Sequence, residues 1–142
     1  MIEQTHRLFF ALRPDPPAAG EIERAAAVIK AGGRVRGRWV KPPKYHMTVQ
    51  FLGNHSGRPA DVIEKARTAA AQVRMTPFDV VLDHVATFGG HRRSSPCLLR
   101  CTPDSDNSVL ALRSALGEAL AGAGLAGLLE DRFTPHVTIA YV

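Results

Sequence analysis

The sequence predicts an α+β fold made of two similar lobes of one domain. Its segments alternate as strand, helix, strand, helix, then strand, strand, helix, strand, so nearly the same unit occurs twice. Two of the strands carry almost the same pattern in corresponding places, KYHMTVQFLG and FTPHVTIAYV. With 142 residues, of which 45% are hydrophobic, the chain can bury one core without disulfides or a structural metal.

In the first half of the chain, strands are predicted at residues 8–12 and 45–53, and helices at residues 18–33 and 60–73. The prolines after residue 12 end the first strand because proline lacks a backbone donor. Ile22, Ala26 and Ile29 then recur at helical spacing, and a Gly-Gly pair ends that helix. The stretch RVRGRWVKPPK, which follows, is predicted to be a basic loop.

In the second half, strands are predicted at residues 78–89, 96–102 and 133–142, with a polar turn at 90–95 and a helix at 108–124. Cys97 and Cys101 lie in one of these strands. Four extended residues separate their Cα atoms by about 13 Å, and a disulfide tolerates at most about 7 Å. Both cysteines are therefore expected to be reduced and at least half-buried.

The charge balance favours a phosphate-rich partner. Eighteen Lys and Arg against thirteen Asp and Glu give a net charge of +5, and such a charge steers association with phosphates, although it is also common in other proteins. No apolar run approaches the roughly 18 residues of a transmembrane helix, and the N-terminal stretch lacks a signal-peptide pattern. A cytoplasmic monomer that does not bind membranes is expected.

The two repeated strands place an imidazole and a hydroxyl side by side. Because side chains alternate across a strand, His46, Thr48 and Gln50 share one face, and Met47, Val49 and Phe51 are expected to face the core. In the second copy, His136 and Thr138 likewise share the face opposite Val137, Ile139 and Tyr141. If the two strands lie next to each other at the centre of a sheet, both pairs converge on one site.

Two His-Thr pairs suit the cleavage of a phosphodiester without a metal. A base must take a proton from the attacking oxygen, an acid must protonate the departing oxygen, and donors must hold the non-bridging oxygens. An unperturbed imidazole titrates near pH 6.5, so one histidine can be neutral while another is protonated. One His-x-Thr would indicate little, since a single strand histidine is usually structural; two copies at equivalent places favour function. The other histidines lack the pattern and are expected to be surface or structural residues.

Three segments resemble the three signature stretches of the two-histidine phosphoesterase superfamily: RLFFALRPD, RWVKPPKYHMTVQFLG and FTPHVTIA. Within this superfamily they are most similar to the bacterial and archaeal 2′-5′ RNA ligase type, which is also described as RNA 2′,3′-cyclic phosphodiesterase. The resemblance spans residues 7–140. It implies a bilobal fold with two pseudo-symmetric strand-helix-strand lobes and mostly antiparallel sheets around a central cleft, in a single domain over residues 1–142 whose lobes interleave along the chain.

The resemblance also implies an activity. It implies metal-independent hydrolysis of a terminal ribose 2′,3′-cyclic phosphate to a 2′-phosphomonoester, with the reverse 2′-5′ joining of RNA ends as a further activity and no cofactor. By this resemblance His46 is the general acid and His136 the general base, with Thr48 and Thr138 on the phosphate; the opposite assignment of the histidines stays open. Family members usually continue past the second motif, so the C-terminal edge is expected to be truncated.

Two basic segments are candidates for RNA binding, with arginines that would contact phosphates: Arg34, Arg36, Arg38, Arg92 and Arg93. Trp39 is expected in the core rather than stacked on a base. Two alternatives to RNA hydrolysis stay open. The substrate could be a small cyclic nucleotide or an ADP-ribose cyclic phosphate, or the chain could be a binding module for RNA ends or nucleotides without catalysis. A metal hydrolase is disfavoured because no carboxylate or cysteine joins the histidines at ligand spacing.

Overall fold

The computed structural model describes residues 4–87 and 96–142 and divides into two compact units. The first unit comprises Met1–Ala11, Thr48–Val80 and Pro103–Thr134, and the second comprises Leu12–Met47, Val81–Thr102 and Pro135–Val142. Each unit therefore draws three segments from the chain, and two of the five boundaries between these segments fall inside strands. The α+β fold class is confirmed.

Three α-helices occur in the described residues, α1 (Pro16–Ala31), α2 (Ala60–Ala71) and α3 (Pro103–Gly122), with short 3-10 turns at Pro42–Lys44 and Ala126–Leu128. The first helix starts earlier than predicted. Asp15 is its N-cap, and a carboxylate oxygen of Asp15 accepts a hydrogen bond from the Ala18 amide at 2.9 Å. The prolines at the first two helical positions lose nothing there, because those amides have no partner within a helix.

Six strands are described: β1 (Thr5–Leu12), β2 (Arg38–Trp39), β3 (Met47–Ser56), β4 (Leu82–Thr87), β5 (Pro96–Cys101) and β6 (His136–Tyr141). One sheet pairs β1 with β3, and the other has the order β2-β6-β5-β4 with antiparallel neighbours throughout. The two motif strands, β3 and β6, therefore lie in different sheets. The two motif strands are therefore not adjacent in one sheet, which was the condition for both His-Thr pairs to converge. Instead, β3 pairs with β1, and β6 pairs with β2 and β5.

Other boundaries also differ from the prediction. The segment 78–81 precedes β4 without being part of it, α3 begins five residues early at Pro103, and the basic loop contains both β2 and a 3-10 turn. Gly117 does not interrupt α3. The helix ends near Gly124, whose φ of 90° is a backbone conformation that glycine adopts readily.

The buried residues of the second unit lie largely in β5 and β6. Leu98 and Ile139 are fully buried, and Cys97 and Cys101 are buried free thiols, as predicted. Burial raises the pKa of the Cys97 thiol above its usual value, which disfavours the reactive thiolate. Within the described residues, no helix is long and apolar enough to cross a membrane.

Candidate active site

The second motif strand, β6, lies in the interior of the four-stranded sheet, between β2 and β5. His136 and Thr138 are half-buried, whereas Val137 and Ile139 are 4% and 0% exposed. The predicted alternation is therefore confirmed from His136 to Ile139, and both motif side chains share one face. It is wrong beyond Ile139, because Ala140 is 0% exposed and Tyr141, which was expected to face the core, is 42% exposed. Among the described residues, His136 and Thr138 pair with β5, whereas β2 pairs with the end of the strand at Ala140 and Tyr141. Backbone hydrogen bonds to β5 therefore fix the motif part of this strand.

An arginine outside both His-x-Thr motifs lies directly across from His136. The register of β5 and β6 pairs Arg100 with His136, and Leu98 with Thr138. Directly opposite residues of an antiparallel pair project to the same face, so Arg100 shares the face of the motif. Its Nε donates a hydrogen bond of 3.1 Å to the carbonyl oxygen of Pro135, the residue before the histidine.

The first motif is presented by a turn rather than by a strand interior. His46 precedes β3 and is exposed, whereas the neighbouring Tyr45 is 2% exposed. The chain reaches Tyr45 through the 3-10 turn Pro42–Lys44, and the Tyr45 amide donates to the Pro42 carbonyl at 3.1 Å. Tyr45 thus anchors this segment in the second unit while the next side chain faces solvent.

The His46 ring has a defined orientation. Its Nδ1 lies 2.8 Å from the Lys44 carbonyl oxygen. Because a carbonyl can only accept, Nδ1 carries the hydrogen, and Nε2 is the nitrogen that gains or loses a proton. The buried Tyr45 beside it has a pKa raised first by desolvation and then by the charge of Glu23, so its hydroxyl stays neutral at physiological pH.

Thr48 follows His46 by two residues and is half-buried. Met47 and Val49 of β3 face the core as predicted and are 3% and 2% exposed. The predicted alternation of β3 fails at the residues that follow. Gln50 is 3% exposed, and Phe51 is only half-buried, under the guanidinium of Arg7 at 4.8 Å from the ring centre. The prediction that the face of Phe51 is the core side and the face of Gln50 is not was therefore wrong at these two residues, because α3 covers Gln50.

The part of α3 that covers Gln50 contains a polar group, the side chain of Arg113. Its guanidinium donates to the Val49 carbonyl at 2.8 Å and to the Gln50 side-chain oxygen at 3.1 Å, and Gln50 in turn donates to the Arg113 carbonyl. The same guanidinium bonds the Glu130 carbonyl and lies 4.5 Å from the centre of the Phe133 ring. Arg113 therefore ties β3, just after Thr48, to the segment that leads toward the second motif.

The electrostatics of Arg113 fit this role. Burial lowers its pKa from the usual value, and the nearby charges of Glu130 and Asp131 act in the opposite direction. A partly desolvated guanidinium is stable when carbonyl oxygens take its donors, as they do here. Sequence patterns gave no signal for Arg113, since an arginine on a helix is usually solvated. For Arg100 the sequence contains a weak indication of function, because this arginine interrupts the apolar run PCLLRC.

The structure distributes the predicted site residues unevenly. His46, His136 and Thr138 belong to the second unit, and Thr48 belongs to the first. The candidate RNA-binding arginines of the first basic segment are all exposed in the second unit: Arg34, Arg36 and Arg38. Arg92 and Arg93 lie outside the described residues. Trp39 is half-buried, so its expected core position is met only in part.

Three of the remaining histidines are surface or structural residues, as expected. His6 and His55 each hydrogen-bond a backbone carbonyl, of Gly57 and Leu52 respectively, and exposed His84 pairs with Asp83. His91 lies outside the described residues. Within the described ranges, no group of three or more His, Cys, Asp or Glu side chains is arranged to hold a metal ion.

Comparison with known proteins identifies the class of this fold and of these motifs. Residues 14–142 match the 2′-5′ RNA ligase superfamily. The crystal structure of E. coli LigT in apo form superposes with a TM-score of 0.74 at 25% identity, covering 96% of this chain and 72% of that one. The fold is thus that of the two-histidine phosphoesterases, and the chain belongs to the 2′-5′ RNA ligase superfamily.

Two curated relatives share a name. The chain is 33% identical over 104 residues to a protein of Geobacillus stearothermophilus, and 29% identical over 106 residues to one of Bacillus subtilis; each is named RNA 2′,3′-cyclic phosphodiesterase. Each alignment covers 72% of this chain, but only 31% and 54% of the respective relative. The matched part of the chain therefore spans between about 31% and 54% of the length of these relatives.

Proposed function

We propose that this chain is an RNA 2′,3′-cyclic phosphodiesterase that hydrolyses a terminal cyclic phosphate to a 2′-phosphomonoester without a metal ion. His46 and His136 act as general acid and general base, and Thr48 and Thr138 bind the non-bridging phosphate oxygens. The observation that carries the proposal is the pair of His-x-Thr motifs in a chain of this superfamily. The names of the curated relatives support the substrate.

The proposed reaction has one displacement at phosphorus. A water oxygen forms a bond to phosphorus while the bond from phosphorus to the ribose 3′ oxygen breaks, which leaves the phosphate on the 2′ oxygen. His136 takes a proton from the attacking water, and His46 gives a proton to the departing 3′ oxygen. Attack and departure on opposite sides of phosphorus require two separate proton-transfer groups, which a pair of histidines supplies.

The hydrogen bond of His46 supports its part in this chemistry. With Nδ1 donating to the Lys44 carbonyl, Nε2 is the atom that transfers the proton, and the ring cannot rotate freely. Thr48 lies at most about 7 Å further along the chain, close enough for its hydroxyl to donate to the same phosphate. In the second motif, His136 and Thr138 have the same spacing and a common face.

The test is hydrolysis of a short RNA that ends in a 2′,3′-cyclic phosphate, in the presence of EDTA, with the position of the product phosphate determined. The parent chain should give only the 2′-phosphate. His46→Ala and His136→Ala should each lower the rate by at least about a hundredfold, since general acid-base catalysis contributes about that much or more. His55→Ala is the matched control and should keep the parent rate, because His55 bonds only to a backbone carbonyl among its described contacts.

Each other result has a defined meaning. Full activity in either motif variant, or a rate that EDTA abolishes, would overturn the proposed mechanism. Hydrolysis of a 2′,3′-cyclic mononucleotide but not of the oligonucleotide would replace RNA by a small cyclic nucleotide as the substrate. Binding of the RNA end without hydrolysis between about pH 5 and 9, where histidines titrate, would make the chain a binding module instead.

A further inference from the structure

We infer that Arg100 is an anion-binding residue of this site, whose guanidinium contacts a substrate phosphate beside His136. The identity of the substrate rests on the proposed function, whereas the binding of a phosphate group by Arg100 does not. None of the sequence motifs includes Arg100, and it enters only through the pairing of β5 with β6.

The sheet register places Arg100 next to both residues of the second motif. Arg100 pairs with His136, and Leu98, two residues earlier in β5, pairs with Thr138. Opposite residues of an antiparallel pair have Cβ atoms about 4.5–5.5 Å apart, and diagonal neighbours about 7–8 Å. A phosphate bound by the imidazole of His136 and the hydroxyl of Thr138 would therefore lie within reach of the long Arg100 side chain.

Burial along this face shows where a ligand can enter. Leu98 is 0% exposed, whereas Thr138, its partner in β6, is half-buried. Arg100 and His136 are only half-buried, and His84, which pairs with Arg100 from β4, is exposed. A ligand can therefore reach the row that contains Arg100 from solvent. Because Arg100 is half-buried, water screens its charge less than that of a fully exposed arginine.

The hydrogen bond of Arg100 orients its guanidinium. Nε donates to the Pro135 carbonyl at 3.1 Å, which holds the planar group alongside the residue before His136. A guanidinium has five N–H donors in one plane, so one arginine can bond a carbonyl through Nε and a phosphate oxygen through its terminal nitrogens. Such charge-assisted bonds to phosphate are short and strong.

The proposed reaction requires a positive charge near the phosphate, which Arg100 would provide. A cyclic phosphodiester carries a negative charge, and the four motif side chains provide no permanent positive charge, since histidine alternates between forms and threonine is neutral. A permanent cation next to His136 would attract the phosphate and stabilise the charge that builds up on its oxygens during displacement. Arg100 supplies that cation from a strand that the sheet holds rigidly on both sides.

The experiment compares Arg100→Gln, Arg100→Lys and the control Arg67→Gln, which removes the same charge from an exposed position on α2. The first probe is inorganic phosphate, with its dissociation constant measured by calorimetry. Arg100→Gln should weaken phosphate binding about tenfold or more, since a hydrogen bond to a charged group is worth about 1.5–3 kcal/mol. Arg100→Lys should fall between Gln and the parent, because it keeps the charge but loses the planar donors.

The second probe is the RNA that ends in a cyclic phosphate. Arg100→Gln should raise KM at least as much as it weakens phosphate binding, whereas a purely structural role would lower the thermal midpoint and leave the phosphate affinity of the folded fraction unchanged. Phosphate binding by Arg100→Gln within about twofold of the parent, or an equal loss in Arg67→Gln, would overturn the inference. No saturable phosphate binding by the parent would overturn it too.

The two proposals can fail separately. If the parent binds phosphate through Arg100 but hydrolyses no cyclic phosphate, the proposed function fails and the anion site stands. If the parent hydrolyses the RNA and the Arg100 variants behave like the parent with both probes, the inference about Arg100 fails and the proposed function stands.

Discussion

The two motif strands carry nearly the same residues but are supported in different ways. β6 lies between two neighbours in a four-stranded antiparallel sheet, whereas β3 pairs with β1 alone among the residues that the structure describes. Gln50 of β3 is instead covered by α3, where Arg113 bonds the strand through side-chain donors. Backbone pairing with β5 holds the second motif, whereas the strand of the first motif is held both by pairing with β1 and by the guanidinium of Arg113. A repeated functional pattern therefore does not imply a repeated structural support.

The largest expected effect is on the support of β3. Arg113→Met should lower the free energy of unfolding by about 2–4 kcal/mol, because the carbonyls of Val49 and Glu130 and the Gln50 side chain all lose their donor. Arg113→Lys should recover part of the loss. Urea unfolding measures both, with Arg67→Met on α2 as the control. A loss as small as that of the control would show that β3 does not depend on Arg113.

The next effect separates the two hydroxyls. Thr48→Val and Thr138→Val keep the shape and the strand preference of threonine, so each should fold like the parent. Each should reduce the hydrolysis rate about tenfold to a hundredfold, since each removes one donor to the phosphate. Steady-state kinetics on the cyclic-phosphate RNA provide the measurement. Parent activity in one variant alone would mean that only the other motif uses its hydroxyl.

A smaller effect concerns the edge of the sheet next to β6. A Cβ built on Gly37 would lie 2.1 Å from the Tyr141 carbonyl oxygen and 2.8 Å from the Val142 Cα, so the backbones approach too closely for a side chain. Gly37→Ala should cost about 1–3 kcal/mol as β2 shifts away from β6. Gly122→Ala, where a Cβ meets nothing within 4 Å, is the control and should stabilise the chain slightly. Equal thermal midpoints for the two variants would contradict this.

The smallest effect concerns Arg38, a candidate RNA contact whose guanidinium lies 5.3 Å from the centre of the Tyr141 ring. Arg38→Gln should change the free energy of unfolding by no more than about 1 kcal/mol, because exposed cation–π contacts are worth about 0.5–1 kcal/mol. If Arg38 also contacts an RNA phosphate, the variant should reduce the salt dependence of RNA binding by about one unit of slope. An unchanged slope would leave Arg38 a purely structural contact.

The local patterns of the sequence predicted more of the helices and strands than of their packing. The order of the major elements, the reduced cysteines, and the shared face of His136 and Thr138 follow from periodicity and from alternation along a strand. The errors in the predicted elements and in the predicted core have specific causes. The prolines after residue 12 are predicted only to end a strand, whereas two of them, preceded by the N-cap Asp15, also begin α1. Alternation predicts Phe51 in the core, because it does not show that α3 covers the opposite face at Gln50.

The sequence by itself determined the chemistry that this chain can offer, because an imidazole and a hydroxyl two residues apart in an extended segment share a face whatever surrounds them. It also indicated the family, through the spacing and order of those motifs. Only the tertiary structure decided that the motif strands lie in separate sheets, that Arg113 supports one of them, and that Arg100 pairs with His136. The physical reason is that strand pairing and helix packing join residues far apart in the chain, and no local pattern records which segments will meet.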